Sequence, residues 1–283
     1  MRKLWTYLSF VRFSHSVFAL PFALTGALLA WRQRPFAWMD AVWIVVCMVT
    51  ARSAAMGFNR LVDARYDALN PRTAGRDLPR GRITIREARL FVLVCSVLFI
   101  YAASRLNMLC AVLSPVALVI VFWYSLAKRY TAYTQLFLGL AMAVAPVGGW
   151  IAAGGGADWQ PWLLGLAIAL WVGGFDILYA CQDLDFDRAH RLQSIPARFG
   201  VERAILISRG MHVAAVVCMS ALWRVADLPL MYLGGVAVVA VLFLYEQSLV
   251  SPDDLSQVKK AFDLNGWVGI VYFAFTAASL YFA

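Results

Sequence analysis

Apolar runs of about twenty residues, separated by short polar segments, recur along the whole chain. A helix rises about 1.5 Å per residue, so roughly 20 apolar residues cross the ~30 Å hydrocarbon layer of a bilayer. Nine runs meet that length: about 14–31, 39–58, 89–106, 108–126, 135–153, 160–180, 204–223, 229–247 and 264–282. The pattern predicts an all-α fold, a polytopic membrane bundle of about nine transmembrane helices. It leaves no room for a separate soluble domain, so residues 1–283 are expected to form a single transmembrane domain. Pro21, Pro115, Pro146, Gly148, Gly149, Gly173 and Gly174 fall inside the runs. Membrane helices tolerate such residues as kinks or points of close packing. A short basic stretch precedes the first run, but Pro21 and aromatic residues interrupt it and no small-residue cleavage site follows. That span is expected to be retained rather than removed as a signal peptide.

Composition agrees with the pattern. The chain is 62% hydrophobic and 14% charged, against about 45–50% and about 25% in soluble domains. The basic residues add orientation. With the N-terminus placed in the cytoplasm, 19 of the 25 Lys and Arg residues fall in cytoplasmic segments. Arg32, Arg34, Arg105 and Arg224 fall opposite, and Arg52 and Arg209 lie within predicted spans. Cytoplasmic loops of membrane proteins are enriched in this way, so the chain is expected in the cell (inner) membrane with its N-terminus inside. The net charge of +9 is mainly this bias and does not point to nucleic acid. Cys47, Cys95, Cys110, Cys181 and Cys218 lie mostly inside spans, without metal-ligand or redox spacing, and read as small packing residues.

The polar positions at the ends of two runs carry the chemistry. Asn59, Asp63 and Asp67 close the second run, and Tyr179, Asp183 and Asp187 close the sixth. Residues four apart share a helix face, so each set predicts a ladder. Like charges at that spacing repel, and beside an apolar segment the repulsion grows. A divalent cation relieves it. Mg²⁺ takes oxygen ligands and shares one or two carboxylates with a substrate phosphate. Four spans intervene, so both ladders face the same, cytoplasmic side. Each opens a loop with basic residues, a proline and a glycine: Arg72, Arg76, Pro79 and Gly81, then Arg191, Pro196, Arg198 and Gly200. This is a weak internal repeat, with halves of roughly 10–130 and 131–250.

Arg72, Arg76, Lys128, Arg129, Arg191 and Arg198 lie on that same side. Carboxylate-bound metal beside free cations suits a diphosphate, which Arg grips bidentately and Lys as a point charge. Lys128 is the best placed, four residues after Tyr124 and three after Ser125 at the end of the fourth run. Arg52, seven residues before Asn59, marks a functional position inside a span or an ion pair with Asp176, Asp183 or Asp63. Asp176, seven before Asp183, would orient substrate or pair with Arg52. His15 would hydrogen-bond a substrate hydroxyl, take a proton, or sit satisfied at the interface. Phe58, Tyr66, Tyr124 and Tyr179 stand at the ladder level, where a ring face can stabilise a carbocation.

Three stretches together resemble the UbiA-type intramembrane aromatic prenyltransferases, over about residues 10–205. They are Arg52 to Gly81 with Asn59, Asp63, Asp67, Arg72, Thr73 and Arg76; Tyr124-Ser-Leu-Ala-Lys128-Arg129; and Phe175 to Gly200 with Asp176, Tyr179, Asp183 and Asp187. Two positions depart from that family's pattern: Arg60 stands where it commonly has Asp, and Arg65 where a further acid is often found. The resemblance implies Mg²⁺ held by Asn59, Asp63, Asp67, Asp183 and Asp187 on the diphosphate of a polyprenyl donor. Lys128, Arg72 and Arg191 would grip its oxygens. An allylic carbocation would then be attacked by a small aromatic acceptor, the isoprenoid tail lying among helices and membrane lipid. The stretch Arg12-Phe-Ser-His15 to Pro21 resembles the 4-hydroxybenzoate polyprenyltransferase-like branch, including the futalosine-route menaquinone enzymes. That implies a hydroxylated benzoate or naphthoate precursor of ubiquinone or menaquinone, with His15 and Arg52 holding its hydroxyl or carboxylate. The last 75 residues are expected to add only apolar spans.

Two other readings compete. CDP-alcohol phosphotransferases also bind metal through Asp-rich helices, but their contiguous motif is absent from this sequence. A transporter would need acids through the membrane, whereas these cluster at one end.

Overall fold

The computed structural model describes residues 2–11 and 13–282, without the side chains of residues 2, 4, 5, 8 and 13–18. It is helical throughout, with no strand among the described residues. A short helix, α1 (Arg2–Phe10), precedes α2 (Phe13–Trp31), α3 (Trp38–Leu69), α4 (Ile85–Leu106), α5 (Met108–Ala127), α6 (Thr134–Ala152) and α7 (Gln160–Ala180). After one 3₁₀ turn at Cys181–Asp183 come α8 (Leu184–Ala189), α9 (Ile195–Phe199), α10 (Val201–Val225), α11 (Leu230–Ser248) and α12 (Val258–Tyr281). The nine predicted runs correspond to α2 to α7 and α10 to α12. Eight described helices are long and apolar enough to cross a membrane, and the chain is an integral membrane protein. The helices run up and down, so both acidic segments lie at one end of the bundle.

The second predicted ladder is corrected in form. α7 ends at Ala180, and the 3₁₀ turn shifts Asp183 and Asp187 onto separate short elements. The first ladder lies on one unbroken helix, and Asp67 is within its last turn.

Helix ends follow local chemistry. Thr84 and Glu87 form a capping box at the start of α4, which satisfies backbone N–H groups reciprocally. Asn107 caps α5 through Cys110 N (2.9 Å) and ties it to α6 by donating to the Ile151 carbonyl (2.8 Å). Pro115 cannot donate to the carbonyl of Ala111, and the Ser114 hydroxyl does so instead (2.8 Å).

Four helices form the spine. α6 packs on α2 and α7, and α7 packs on α10. A Cβ at Gly26 or Gly149 would run into the backbone carbonyl of Pro146 or Ala23, so α2 and α6 touch along their main chains. Gly139 does the same against Ala169 of α7. Small residues allow this approach, and van der Waals contact then holds the helices where lipid offers no hydrophobic driving force. Phe22, Trp150, Leu164, Ile168, Trp171, Met219 and Tyr272 fill the core around them.

The last 75 residues hold more than apolar spans, which corrects the expectation. Gln247 of α11 donates to Ser208 Oγ (2.8 Å) and to His212 Nδ1 (3.1 Å) on α10. His212 Nε2 faces the Trp171 carbonyl (3.2 Å), so it carries the proton, and Ser208 donates to the Gly174 carbonyl (2.7 Å). Trp171 Nε1 donates to Asn265 of α12 (2.6 Å). Glu246 is buried in the same region, beside the side chain of Asn265. Three C-terminal helices thus hold α7 just before Asp176. Gln247→Leu removes the donor to both Ser208 and His212. It is expected to cost about 1–3 kcal/mol, seen as a lower midpoint of thermal unfolding in micelles. An unchanged midpoint would show that the relay carries no stability.

Candidate active site

The site is built where α3 and α7 end. Asp63 is buried, and three donors converge on it. Lys128 Nζ lies 3.2 Å from Oδ2, Arg129 Nη2 3.2 Å from Oδ1, and Asn59 donates to Oδ2 at 3.2 Å. Arg129 also donates to the Val62 carbonyl. One turn on, Asp67 accepts from Arg76 at 2.6 Å and faces Arg60 Nη1 at 4.0 Å. Its Oδ2 is buried without a hydrogen-bond partner.

Asp183 joins the two halves of the site. Arg72 grips it bidentately, at 3.0 and 2.5 Å, and donates to Tyr179 Oη at 3.0 Å. Asn70, at the C-terminus of α3, donates to Asp183 at 3.2 Å while its own Oδ1 accepts from the Arg72 backbone (2.9 Å). Burial disfavours the charge on Arg72, but the hydrogen bond and attraction of Asp183 outweigh it and hold the guanidinium above its ordinary value. Asp187 accepts from Ser194 at 3.0 Å. A backbone bond from Gln193 N to the Lys128 carbonyl (2.7 Å) brings the stretch 124–129 against the second loop.

The structure therefore gathers Asn59, Asp63, Asp67, Arg72, Arg76, Lys128, Arg129, Tyr179 and Asp183 into one constellation, with Asp187 beside it. Arg191 is not drawn in. It is exposed, its backbone is in the left-handed region (φ 55°), and it pairs with no carboxylate among the described residues. Arg198 instead lies over the Tyr133 and Phe199 rings. The side chain of His15 lies outside the described residues. Asn70 and Ser194 were not singled out from the sequence. Asn70 follows a helix of charged residues and precedes Pro71, a turn signal that conceals its reach to Asp183.

Beneath the charged end lies an apolar cavity of about 510 Å³, walled by small residues such as Ala23, Ala51, Ala55, Gly148 and Gly149. Arg52 and Tyr124 also line it. Arg52 sits seven residues before Asn59, about 10 Å deeper along α3. Among the described residues no carboxylate pairs with it, so the expected ion pair with Asp63, Asp176 or Asp183 is not formed. Its Nη1 lies 3.8 Å from Met142 Sδ, and its Nε is buried without a partner. The Tyr66 ring is flanked by Lys128 and Arg129, the Tyr179 ring by Arg72, and Phe58 stacks on Phe122. Of the four aromatic residues at ladder level, Tyr124 lines the cavity.

The donor set suits a hard divalent cation. Its ligating atoms are carboxylate and carboxamide oxygens, and one of them, Asp67 Oδ2, has no donor. Among the described residues no three acidic side chains already converge as a metal cage, because each is drawn toward a neighbouring cation or hydroxyl.

A bundle with paired carboxylate ladders and cations over an apolar cavity is the architecture of an intramembrane prenyltransferase. The match to the UbiA prenyltransferase family model runs over residues 19–276, and the chain belongs to that family. It is similar to the 4-hydroxybenzoate octaprenyltransferase of Enterobacter sp. (strain 638), at 32% identity over 84% of this chain and 80% of that one. It is 34% identical to the enzyme of the same name from Marinobacter nauticus, over 82% and 79%. Among solved structures, the apo UbiA homologue from Aeropyrum pernix K1 superposes with a TM-score of 0.86 at 36% identity, covering 94% of this chain and 98% of that one. The UbiA homologue from Archaeoglobus fulgidus bound to DMAPP and Mg²⁺ shares the fold, with a TM-score of 0.75 at 19% identity over 96% and 99%.

Proposed function

We propose that this protein transfers a polyprenyl group from a polyprenyl diphosphate to the ring of an aromatic acid, a benzoate or naphthoate precursor of ubiquinone or menaquinone. The observation that carries the reading is the guanidinium of Arg52, which no carboxylate among the described residues pairs, in an apolar cavity directly beneath a ring of carboxylates and cations. A buried charge without a counter-charge is costly, and the carboxylate of an aromatic acid supplies one. The names of the relatives support the benzoate class, and the ligands of the Archaeoglobus homologue support a prenyl diphosphate with Mg²⁺.

Asn59, Asp63, Asp67, Asp183 and Asp187 are the residues that would hold Mg²⁺, which would supply charge neutralisation for a leaving diphosphate. Lys128, Arg129, Arg72 and Arg76 are partly exposed at the rim and turn from the carboxylates to the phosphate oxygens. Arg191, exposed on the second loop and outside the constellation, would have to turn inward to join them. The first isoprene units lie in the cavity, away from water, where the allylic cation survives. Tyr124 presents its ring and hydroxyl to the reacting carbon and Arg52 holds the acceptor's carboxylate. Tyr179 positions Arg72. Asp176, two turns deeper than Asp183, orients the acceptor together with His15. The ladders and N-terminus face the cytoplasm of the inner membrane, in keeping with the basic residues at that end.

The test is direct. Purified protein, Mg²⁺ and a labelled polyprenyl diphosphate are incubated with 4-hydroxybenzoate, 1,4-dihydroxy-2-naphthoate or no acceptor. Prenylated product is expected with an aromatic acid, and a chelator is expected to abolish it. Diphosphate release with no prenylated ring for any acid in the panel would reject the proposal.

A further inference from the structure

Asp187 differs from the other three ladder carboxylates. Asp63, Asp67 and Asp183 each meet a guanidinium or ammonium group within 4.0 Å, whereas Asp187 meets none among the described residues. A hydroxyl stands there instead: Ser194 Oγ donates to Asp187 Oδ2 at 3.0 Å. The other oxygen, Oδ1, accepts no hydrogen bond among the described residues. Ser194 has little freedom to do otherwise. It is 2% exposed and caps α9, where its Oγ accepts from Ala197 N (3.3 Å). A hydroxyl has one proton, and here that proton goes to Asp187. The backbone around it is strapped down as well. Leu192 N donates to the Asp187 carbonyl (2.8 Å), Gln193 N to the Lys128 carbonyl (2.7 Å), and Ile195 N to Oε1 of the buried Gln135 on α6 (3.2 Å). The rim cations are partly exposed and can leave their carboxylates for phosphate. Ser194 stays with Asp187 in either state.

We propose that Ser194 makes the site selective for Mg²⁺ over Ca²⁺, by holding Asp187 as a carboxylate with a single oxygen free. This rests on the metal-dependent reading above. Mg²⁺ demands a near-regular octahedron, which the narrow bite of a two-oxygen carboxylate distorts. Ca²⁺ takes a larger, more flexible shell and accepts a carboxylate through one oxygen or both. With Oδ2 committed to Ser194, Asp187 offers one oxygen, which suits Mg²⁺ and denies Ca²⁺ its extra contact. Hydrogen bonds that orient a ligating side chain are worth about 10–100-fold in metal affinity. Ser194 is thus a positioning residue that acts through Asp187.

The experiment reads ion preference rather than turnover. Full-length protein in detergent micelles, in excess over geranyl thiolodiphosphate, whose C–S bond resists ionisation, is loaded with Mn²⁺. Mg²⁺ or Ca²⁺ is then added, and the Mn²⁺ released is followed by electron paramagnetic resonance. The quantity compared is the Ca²⁺ concentration that releases half the Mn²⁺ divided by the corresponding Mg²⁺ concentration. Ser194→Ala is expected to lower this ratio about tenfold, because Mg²⁺ loses an oriented ligand while Ca²⁺ gains a second oxygen. Ser194→Gly, which caps a helix nearly as well as serine and guards against misfolding of the alanine variant, is expected to show the same fall. Ser194→Thr keeps the hydroxyl and is expected to keep the ratio. A wild-type ratio in the folded alanine and glycine variants, with both ions unchanged or weakened by one common factor, would overturn the inference and leave Ser194 a helix cap alone. A wild-type protein that holds no more Mn²⁺ than the analogue does by itself would instead sink the metal-dependent reading.

Discussion

Asp183→Asn is expected to lower turnover about a thousandfold while leaving the fold intact. The carboxylate is the meeting point of both halves of the site: Arg72 grips it at 3.0 and 2.5 Å, and Asn70 reaches it from the end of α3. The amide keeps the size of the side chain but removes a negative charge from the metal's donor set. Stabilising a leaving diphosphate through a bound metal is worth several kcal/mol, and a thousandfold corresponds to about 4 kcal/mol. Stability is expected to change little, because Arg72 is partly exposed and rehydrates when its partner is lost. Initial rates at saturating Mg²⁺ and donor, beside a thermal melt of each protein, check both statements. Turnover within tenfold of the wild type would remove Asp183 from the metal set.

Arg52→Met is expected to reduce kcat/KM for an aromatic acid several hundredfold. The effect on an acceptor of similar size without a carboxylate should be far smaller. Methionine fills the space beside Met142 without a charge. Removing one partner from a buried charge pair costs about 3–5 kcal/mol. Here that cost falls on the bound complex, because the free protein gives Arg52 no carboxylate among its described residues. The free protein is accordingly expected to become slightly more stable. A panel of matched acid and non-acid acceptors provides the measurement. Equal losses for both kinds would show that Arg52 supports the cavity's shape and does not recognise the acid.

The two variants divide the site as the chain itself does. Asp183 belongs to the charged rim, where every carboxylate except Asp187 has a protein cation within reach. Arg52 belongs to the apolar chamber beneath, where a charge waits without one. In the free protein the rim cations neutralise the ladders. With donor bound they are shared with phosphate, which keeps the number of uncompensated charges low in both states.

Much of this was legible in the chain. Spans of about twenty apolar residues placed the membrane helices, because a continuous apolar run of that length satisfies its backbone in a bilayer only as a helix. The i, i+4 spacing of Asn59, Asp63 and Asp67 put them on one face, because helix geometry is local. The four intervening spans put the two ladders at one end, because each crossing reverses direction. Charged residues at the ends of apolar runs are too costly to be incidental, so the site's chemistry was written in the sequence.

What remained hidden depends on contacts between distant residues. The break of α7 at Cys181 is tied to Asn70 and Arg72, more than 100 positions away, which draw Asp183 across the site. The freedom of Arg52 from Asp63, Asp176 and Asp183 depends on how α3, α5 and α7 are rotated against one another. The relay from Gln247 through His212 to Trp171 joins three helices that read as apolar spans in sequence, because a few polar residues still leave their mean hydropathy at 1.7–1.9. Arg60 looked like a loss of negative charge until packing turned it toward Asp67. Periodicity and composition determined which helices exist, which end they share and what class of chemistry sits there. Only the tertiary structure decided which charges are paired and which are left for a ligand, because pairing depends on side-chain distances of a few ångströms that no local pattern encodes.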